Sequence, residues 1–487
     1  MSQSSLNMAD KLPKSLSMMS ILGLSFAIMA VPFGLSTTME IGLNDGESAT
    51  ILYGWIFVSV TSLAIAASLA EICAVYPTAG GTYYWAAMLS PKKYSNSCAW
   101  ICGWFNLVGN WTVCLSINFS GAQLILSSVS LWREDFVAED WQVVLTFWAV
   151  IGIAALVNIF GAKYLDLINK ICIYWTAASV VIIICCILSL SNNFRSAQFV
   201  FGHFDGSRSG WGTFSWFVGL LQSAYTLTGY GLVASMCEEV QNPEREVPRA
   251  IFLSVAIAGI TGVIYIIPIL FVLPDITTLL GIPNHQPIGL IFKITTGSAA
   301  KGVGLLFLII GIMFFAGVGS LTAASRCTYA FARDGALPGS HIWSLINHRF
   351  EIPLTAVLLT ATVNCILGCI YFGSTMAFNA FCGVATICLS VSYGIPILIS
   401  LIRRRKLVKN STYSLGKFGY VINSISVIWI MFAMFLFSLP TTIPTSTTSM
   451  NYASAVFAAF ALVSFLYYII QGRKSYTGPS CEYEYES

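Results

Sequence analysis

Charge is scarce in this chain. Only 9% of its 487 residues are Asp, Glu, Lys or Arg, against roughly 25% in soluble domains, whose surfaces must face water. With 56% apolar residues and a mean hydropathy of +0.78, most of the surface is expected to face lipid, which makes this a polytopic membrane protein. A net charge of +3 spread over the whole length excludes nucleic acid as a partner. Histidine is scarcer still. His203, His285, His341 and His348 all fall between the apolar runs, so no metal cluster and no catalytic set of His, Asp and Glu can be assembled at mid-membrane. The inventory argues against an enzyme and implies no cofactor. A voltage-sensing arginine ladder is likewise missing.

Crossing ~30 Å of hydrocarbon takes about 20 apolar residues, and twelve runs qualify. They are Leu16–Met39, Ile51–Ala74, Cys98–Leu126, Trp141–Gly161, Ile168–Leu190, Thr213–Cys237, Ala250–Leu273, Val303–Tyr329, Pro353–Phe372, Phe378–Ile402, Val421–Leu439 and Tyr452–Ile470. The connections are short, so function must reside in the bundle or its loops. The first run has no small-residue cleavage site after it and reads as a retained helix. Lys and Arg resist translocation, and an even number of spans puts both termini on one side. Placing them in the cytosol leaves only Arg133, Arg195, Arg208, Lys293 and Lys301 outside. The outer segments then hold nine acids against these five bases, a mildly negative face. The fourteen cysteines fall in the runs or on the cytosolic side. The outer segment Ser127–Asp140 has none, so neither a disulfide framework nor a disulfide-linked heavy-chain partner is expected. The sequons at Asn110, Asn118 and Asn410 lie in a span or in the cytosol and should carry no glycan.

Two runs contain helix breakers at mid-depth. In the first, Ala30-Val31-Pro32-Phe33-Gly34 brings in a proline, which removes a backbone donor and clashes with the preceding turn. In the sixth, Thr226-Leu227-Thr228-Gly229-Tyr230-Gly231 combines two threonines with two glycines. These runs correspond if the first ten spans are two repeats of five. Interrupted helices at corresponding places in two halves point to a midplane binding site.

Three loop motifs strengthen that reading. Residues 70–85 read Ala-Glu-Ile-Cys-Ala-Val-Tyr-Pro-Thr-Ala-Gly-Gly-Thr-Tyr-Tyr-Trp, residues 238–250 Glu-Glu-Val-Gln-Asn-Pro-Glu-Arg-Glu-Val-Pro-Arg-Ala, and residues 325–338 Ser-Arg-Cys-Thr-Tyr-Ala-Phe-Ala-Arg-Asp-Gly-Ala-Leu-Pro. All three resemble signatures of the amino acid-polyamine-organocation permeases, most of all the fungal amino acid/choline branch. The resemblance implies an all-α fold of twelve transmembrane helices. A cytosolic tail (1–15) would precede a first five-helix repeat (16–190), a second, inverted repeat (213–402), two further helices (421–470) and a cytosolic tail (471–487).

It also implies an alternating-access transporter of a small zwitterion or organic cation such as 4-aminobutyrate or choline, proton-coupled as some relatives are, in the plasma membrane. A nutrient sensor retaining the same fold is the alternative. Counting back from Asn242-Pro243, Tyr225 falls where relatives place an aromatic gate and Gly229 where they keep a glycine in the break. Tyr230 supplies a second ring. Aromatic faces with no buried acid suit an alkylammonium group through cation–π contact, and the amides near Phe33 and Gly34 would meet a carboxylate. Relatives that carry α-amino acids often have Gly-Ser/Thr-Gly in the first break. Here Pro32 leaves fewer amides.

Other polar positions rank lower. Asn106 and Asn110 share one face of the third span. Ser320 and Thr322 on the eighth are candidates for an ion site beside the first break. Thr176 takes the place where some proton-coupled relatives carry a lysine, while Lys170 lies near the cytosolic end. Glu71, Glu238 and Glu239, facing Arg249, Arg326 and Arg333, are expected to form an inner ionic latch.

Overall fold

The computed structural model describes residues 18–473, apart from 79, 134, 283–284, 348, 374–376, 410, 446–449 and, for side chains, 18, 236, 238 and 377, together with residues 476 and 478–479. Both predicted cytosolic tails therefore lie largely or wholly outside the described residues, as do His348, Asn410 and Cys481.

The protein is an all-α polytopic membrane protein. Among the described residues, eleven helices are long and apolar enough to cross a bilayer: Met19–Thr37, Glu47–Val75, Ser95–Trp132, Asp140–Phe160, Ala162–Leu190, Pro243–Phe271, Ala299–Arg333, Leu354–Phe372, Phe378–Ile402, Gly416–Leu436 and Ala453–Gly472. Eleven of the twelve expected runs match these helices in order. The remaining one, the sixth, does not cross as one helix. It is divided into Ser215–Val218, Leu220–Thr226 and a 3-10 stretch, Tyr230–Glu239, so no continuous apolar helix spans it. The spans are numbered one to twelve below, with this broken element as the sixth. "Outer" and "inner" follow the charge-derived orientation.

Hydrophobicity alone does not rank these helices, because lipid is as apolar as a protein core; burial does. In spans one, three and two, 83%, 78% and 72% of the most apolar window is inside the bundle, against 33% in spans five and nine and 6% in span twelve. The first three build the centre and the last three face lipid. Span seven packs along span two, and span three along spans eight and ten. At the outer end, the short helices Ile276–Leu280 and Pro287–Thr296 follow span seven and lie over the end of span one. At the inner end, Thr82–Leu89 packs against spans three and ten.

Candidate transport site between the two broken helices

Span one breaks at a single residue. Met18–Met29 and Val31–Thr37 are separate helices joined by Ala30 at φ 39°, ψ 51°, a left-handed conformation that costs a residue with a Cβ roughly 1–2 kcal/mol. Pro32 explains the break. In an unbroken helix its ring would clash with the carbonyl of Ile28 and its nitrogen could not donate there. With the break at Ala30, the proline falls in the first turn of a new helix, where no donor is needed. The Gly34 amide, expected to be open to a carboxylate, instead donates to the Ala30 carbonyl at 2.9 Å. Pro32 has none to give, so the first-turn donors of this half-helix are fewer than the residue count implies.

The second half-helix ends in hydroxyls, which satisfy its carbonyls where lipid offers no partner. Ser36 Oγ donates to Pro32 O (2.6 Å) and lies 2.8 Å from the Tyr265 hydroxyl; Thr37 and Thr38 donate to Phe33 O and Gly34 O.

Span six uses threonine and glycine for its break. Thr226 Oγ1 donates to Gln222 O (2.8 Å) and Thr228 Oγ1 to Ala224 O (2.5 Å), closing off the helix before Gly229 turns the chain at φ 105°. The two breaks meet. A methyl group on Gly34 would lie 2.7 Å from Thr226 Cγ2, and one on Gly229 would lie 2.9 Å from Ile28 Cγ2.

The two candidate tyrosines part company at this junction. The buried Tyr225 donates its hydroxyl to Ser116 Oγ on span three (2.7 Å) and sets its ring edge-on to Phe378 of span ten at 6.5 Å. Tyr230 packs against Tyr393 with ring centroids 5.3 Å apart, in a small space also lined by Ser62, Thr228, Thr386 and Trp429. They do not form one cage. Gly231 allows this second packing, since any Cβ there would strike the Tyr393 ring. Ser116, Phe378 and Tyr393 were not singled out in the sequence, where they are ordinary serine, phenylalanine and tyrosine within apolar runs.

Asn106 and Asn110 are buried on one face of span three. Asn106 Nδ2 donates to Cys327 Sγ of span eight (3.3 Å), and Asn110 Nδ2 to Asn106 O (2.7 Å), leaving Asn110 Oδ1 without a partner. Thr322 donates to Asn158 Oδ1 of span four (2.6 Å) and Ser320 to Gly317 O within its own helix. Thr176 is buried with Cys172 Sγ 3.9 Å away. Lys170 pairs with Asp166 one turn earlier at 2.6 Å, both partly exposed.

The inner end brings the three motifs together. Tyr83 of the first donates to Asp334 Oδ2 of the third (2.8 Å) and packs on Phe331 at 5.2 Å. Arg326 Nε of the third lies 3.3 Å from Glu239 Oε1 of the second, both nearly inaccessible. Glu71 departs from expectation. Its partner is Arg405, with Nη2 at 2.5 Å and both residues 1–2% exposed. The Leu415 amide donates to the same Glu71 oxygen at 2.8 Å, and Arg405 Nη1 donates to Gly416 O. The expected latch grouped Glu71 with Arg249, Arg326 and Arg333 because all lie at the inner end, whereas the ten–eleven loop folds back over span two and brings Arg405 to it. Arg249 is exposed, with Glu246 3.9 Å away on the same helix. The side chain of Glu238 lies outside the described residues.

A helical bundle with two broken helices meeting at its centre has the form of a membrane transporter. The family described as amino acid permease matches residues 16–460, and the chain belongs to it: a multi-pass membrane transporter rather than an enzyme. Amino-acid permease BAT1 of Arabidopsis thaliana is 34% identical over 96% of this chain and 94% of its own length. Polyamine transporter TPO5 of Saccharomyces cerevisiae is 34% identical over 94% and 76%, and the choline transporter of the same yeast 31% identical over 96% and 83%.

Proposed function

We propose that this protein is a secondary active permease that imports a small amine or zwitterionic amino acid across the plasma membrane, coupled to protons, with both termini in the cytosol. The observation that carries this reading is the contact of the two breaks at Gly34 and Thr226. Half-helix ends are worth roughly half a charge each, and at mid-depth they offer a dipolar site to a solute in an otherwise apolar bundle. The described residues around the junction are neutral, which favours a zwitterion or monocation over a dicarboxylate or phosphate. Alternating access would pair an outer closure around Tyr225 and Phe378 with an inner closure at the Glu239–Arg326 and Tyr83–Asp334 contacts. The relatives' names, which cover amino acids, polyamines and choline, lie within this substrate class.

The test is uptake in a permease-deficient host at two pH values, with radiolabelled 4-aminobutyrate, choline, thiamine, polyamines, α-amino acids, glutamate and phosphate. Saturable uptake of one or more amines or zwitterions, faster at the lower pH, is expected. Saturable glutamate or phosphate uptake uninhibited by any amine would overturn the reading.

A further inference from the structure

Directly outside Tyr225 lies a second polar place. A cavity of about 20 Å³ is lined by Thr37, Glu40, Ile41, Gln123, His285, Phe378 and Asn379. Phe378 is also the ring set against Tyr225. Gln123 lies seven residues beyond Ser116 on span three, on the same helix face, so cavity and gate line one path. Glu40 is the carboxylate of this cavity. His285, from the segment between spans seven and eight, places Nδ1 2.9 and 3.1 Å from its two oxygens. That hydrogen bond raises the His285 pKa above its ordinary value, and the ring faces the carboxylate as its hydrogen-bond partner.

The surroundings are rich in acceptors. Gln286 Nε2 reaches Gln123 Oε1 and Thr37 O only at 3.5 Å, and the buried Gln286 Oε1 has no partner. The volume matches one water-sized group. An –NH3+ group, with three donors, fits both that size and that chemistry; a trimethylammonium group fits neither.

Building on the permease reading, we propose that Glu40 is an outer station for a primary ammonium group, which takes the carboxylate from His285 and so releases the segment between spans seven and eight from the end of span one before the substrate passes Tyr225. The station selects primary amines ahead of the central site and explains why a single acid stands here over a neutral gate. Glu40 exchanges one hydrogen-bond partner for another, so its carboxylate is never left without one, and an unpaired charge is the costly condition in a partly buried place.

The experiment uses the full chain in the permease-deficient host, with the labelled substrate found above. Inhibition by butane-1,4-diamine and by tetramethylammonium is compared for wild type, Glu40→Gln and His285→Gln, each normalised to surface abundance. E40Q is expected to raise the half-inhibitory diamine concentration about tenfold, the loss of one charge-assisted hydrogen bond, and to leave that of tetramethylammonium within about twofold. H285Q, which removes the competing imidazole, should lower the diamine value. Equal effects of E40Q on both inhibitors, or none on either, would overturn the proposal. If E40Q does not reach the membrane, H285Q decides: a diamine value unchanged or raised overturns it. Failure of the permease reading has a different signature, no uptake of any panel member by wild type.

Discussion

Tyr225 commits its hydroxyl and its ring to different neighbours, Ser116 on span three and Phe378 on span ten, so the residue joins two helices beside the break. Replacement by Phe keeps the ring and loses one hydrogen bond, worth ~1 kcal/mol net; most uptake should remain. Replacement by Ala removes the face itself. The ~1–2 kcal/mol of a desolvated aromatic contact corresponds to about tenfold in apparent affinity. Uptake kinetics at matched surface abundance measure both, and normal affinity in Y225A would reduce Tyr225 to a packing residue. The sequence marks Tyr225 only by its distance from Asn242-Pro243, and its gating role rests on the family resemblance and on its place beside the break. Its division of labour from Tyr230 was not legible, since five residues along a chain that changes from α-helix through glycine to a 3-10 turn no longer define a common face.

Among the elements, the two breaks approach as closely as they do because Gly34 carries no methyl group. Gly34→Ala should impair uptake severely by forcing Thr226, whose short side chain cannot swing far, out of the junction. The double variant Gly34→Ala/Thr226→Ala frees that space and should recover a substantial part; a double variant no better than G34A would place the need for glycine elsewhere. The outer loop ahead of span two carries a second testable device. Asp45 is 1% exposed and neither carboxyl oxygen is hydrogen-bonded. Burial pushes its pKa from 3.8 up to about 8, outweighing the neighbouring Ser209 hydroxyl. The folded protein thus holds this proton more tightly than the unfolded chain. Its stability is undiminished below about pH 4 and falls by ~1.4 kcal/mol per unit as pH rises toward about 8, then levels off. In detergent, Tm measured from pH 5 to 9 should show this fall in wild type and a flatter profile in Asp45→Asn, which keeps the shape without the proton. Equal slopes would show that Asp45 is hydrated. Next to it, Glu47 meets Arg208 at 2.5 Å and His203 at 2.9 Å, clamping the five–six loop onto span two.

For the whole molecule, the prediction is sidedness. Ser207 and Lys409 are both exposed, in loops at opposite ends of the bundle. In a chain stripped of its native cysteines, one placed at Ser207 should react with an impermeant thiol reagent on intact cells, and one at Lys409 should not. The reverse pattern would invert the orientation and sink the charge argument. Low charge, twelve apolar runs and three loop motifs made the all-α membrane fold legible, since lipid forces backbone groups to pair within helices. Burial order was not legible. Span five has the same kind of composition as span two yet faces lipid, because in a membrane the inside is marked by small and polar residues meeting across helices rather than by hydrophobicity.

The sequence by itself determined where the chain crosses and where two crossings fail, because a proline at mid-depth and a Thr-Leu-Thr-Gly run act through their own backbone. Tertiary structure decided what those breaks meet and which charges close the ends. Glu71 finds Arg405 across 334 positions, and Glu40 finds His285 across 245. Local rules set a helix's ends within a few residues, whereas an ion pair between distant loops depends on how the whole bundle is packed. No spacing along the chain encodes that packing.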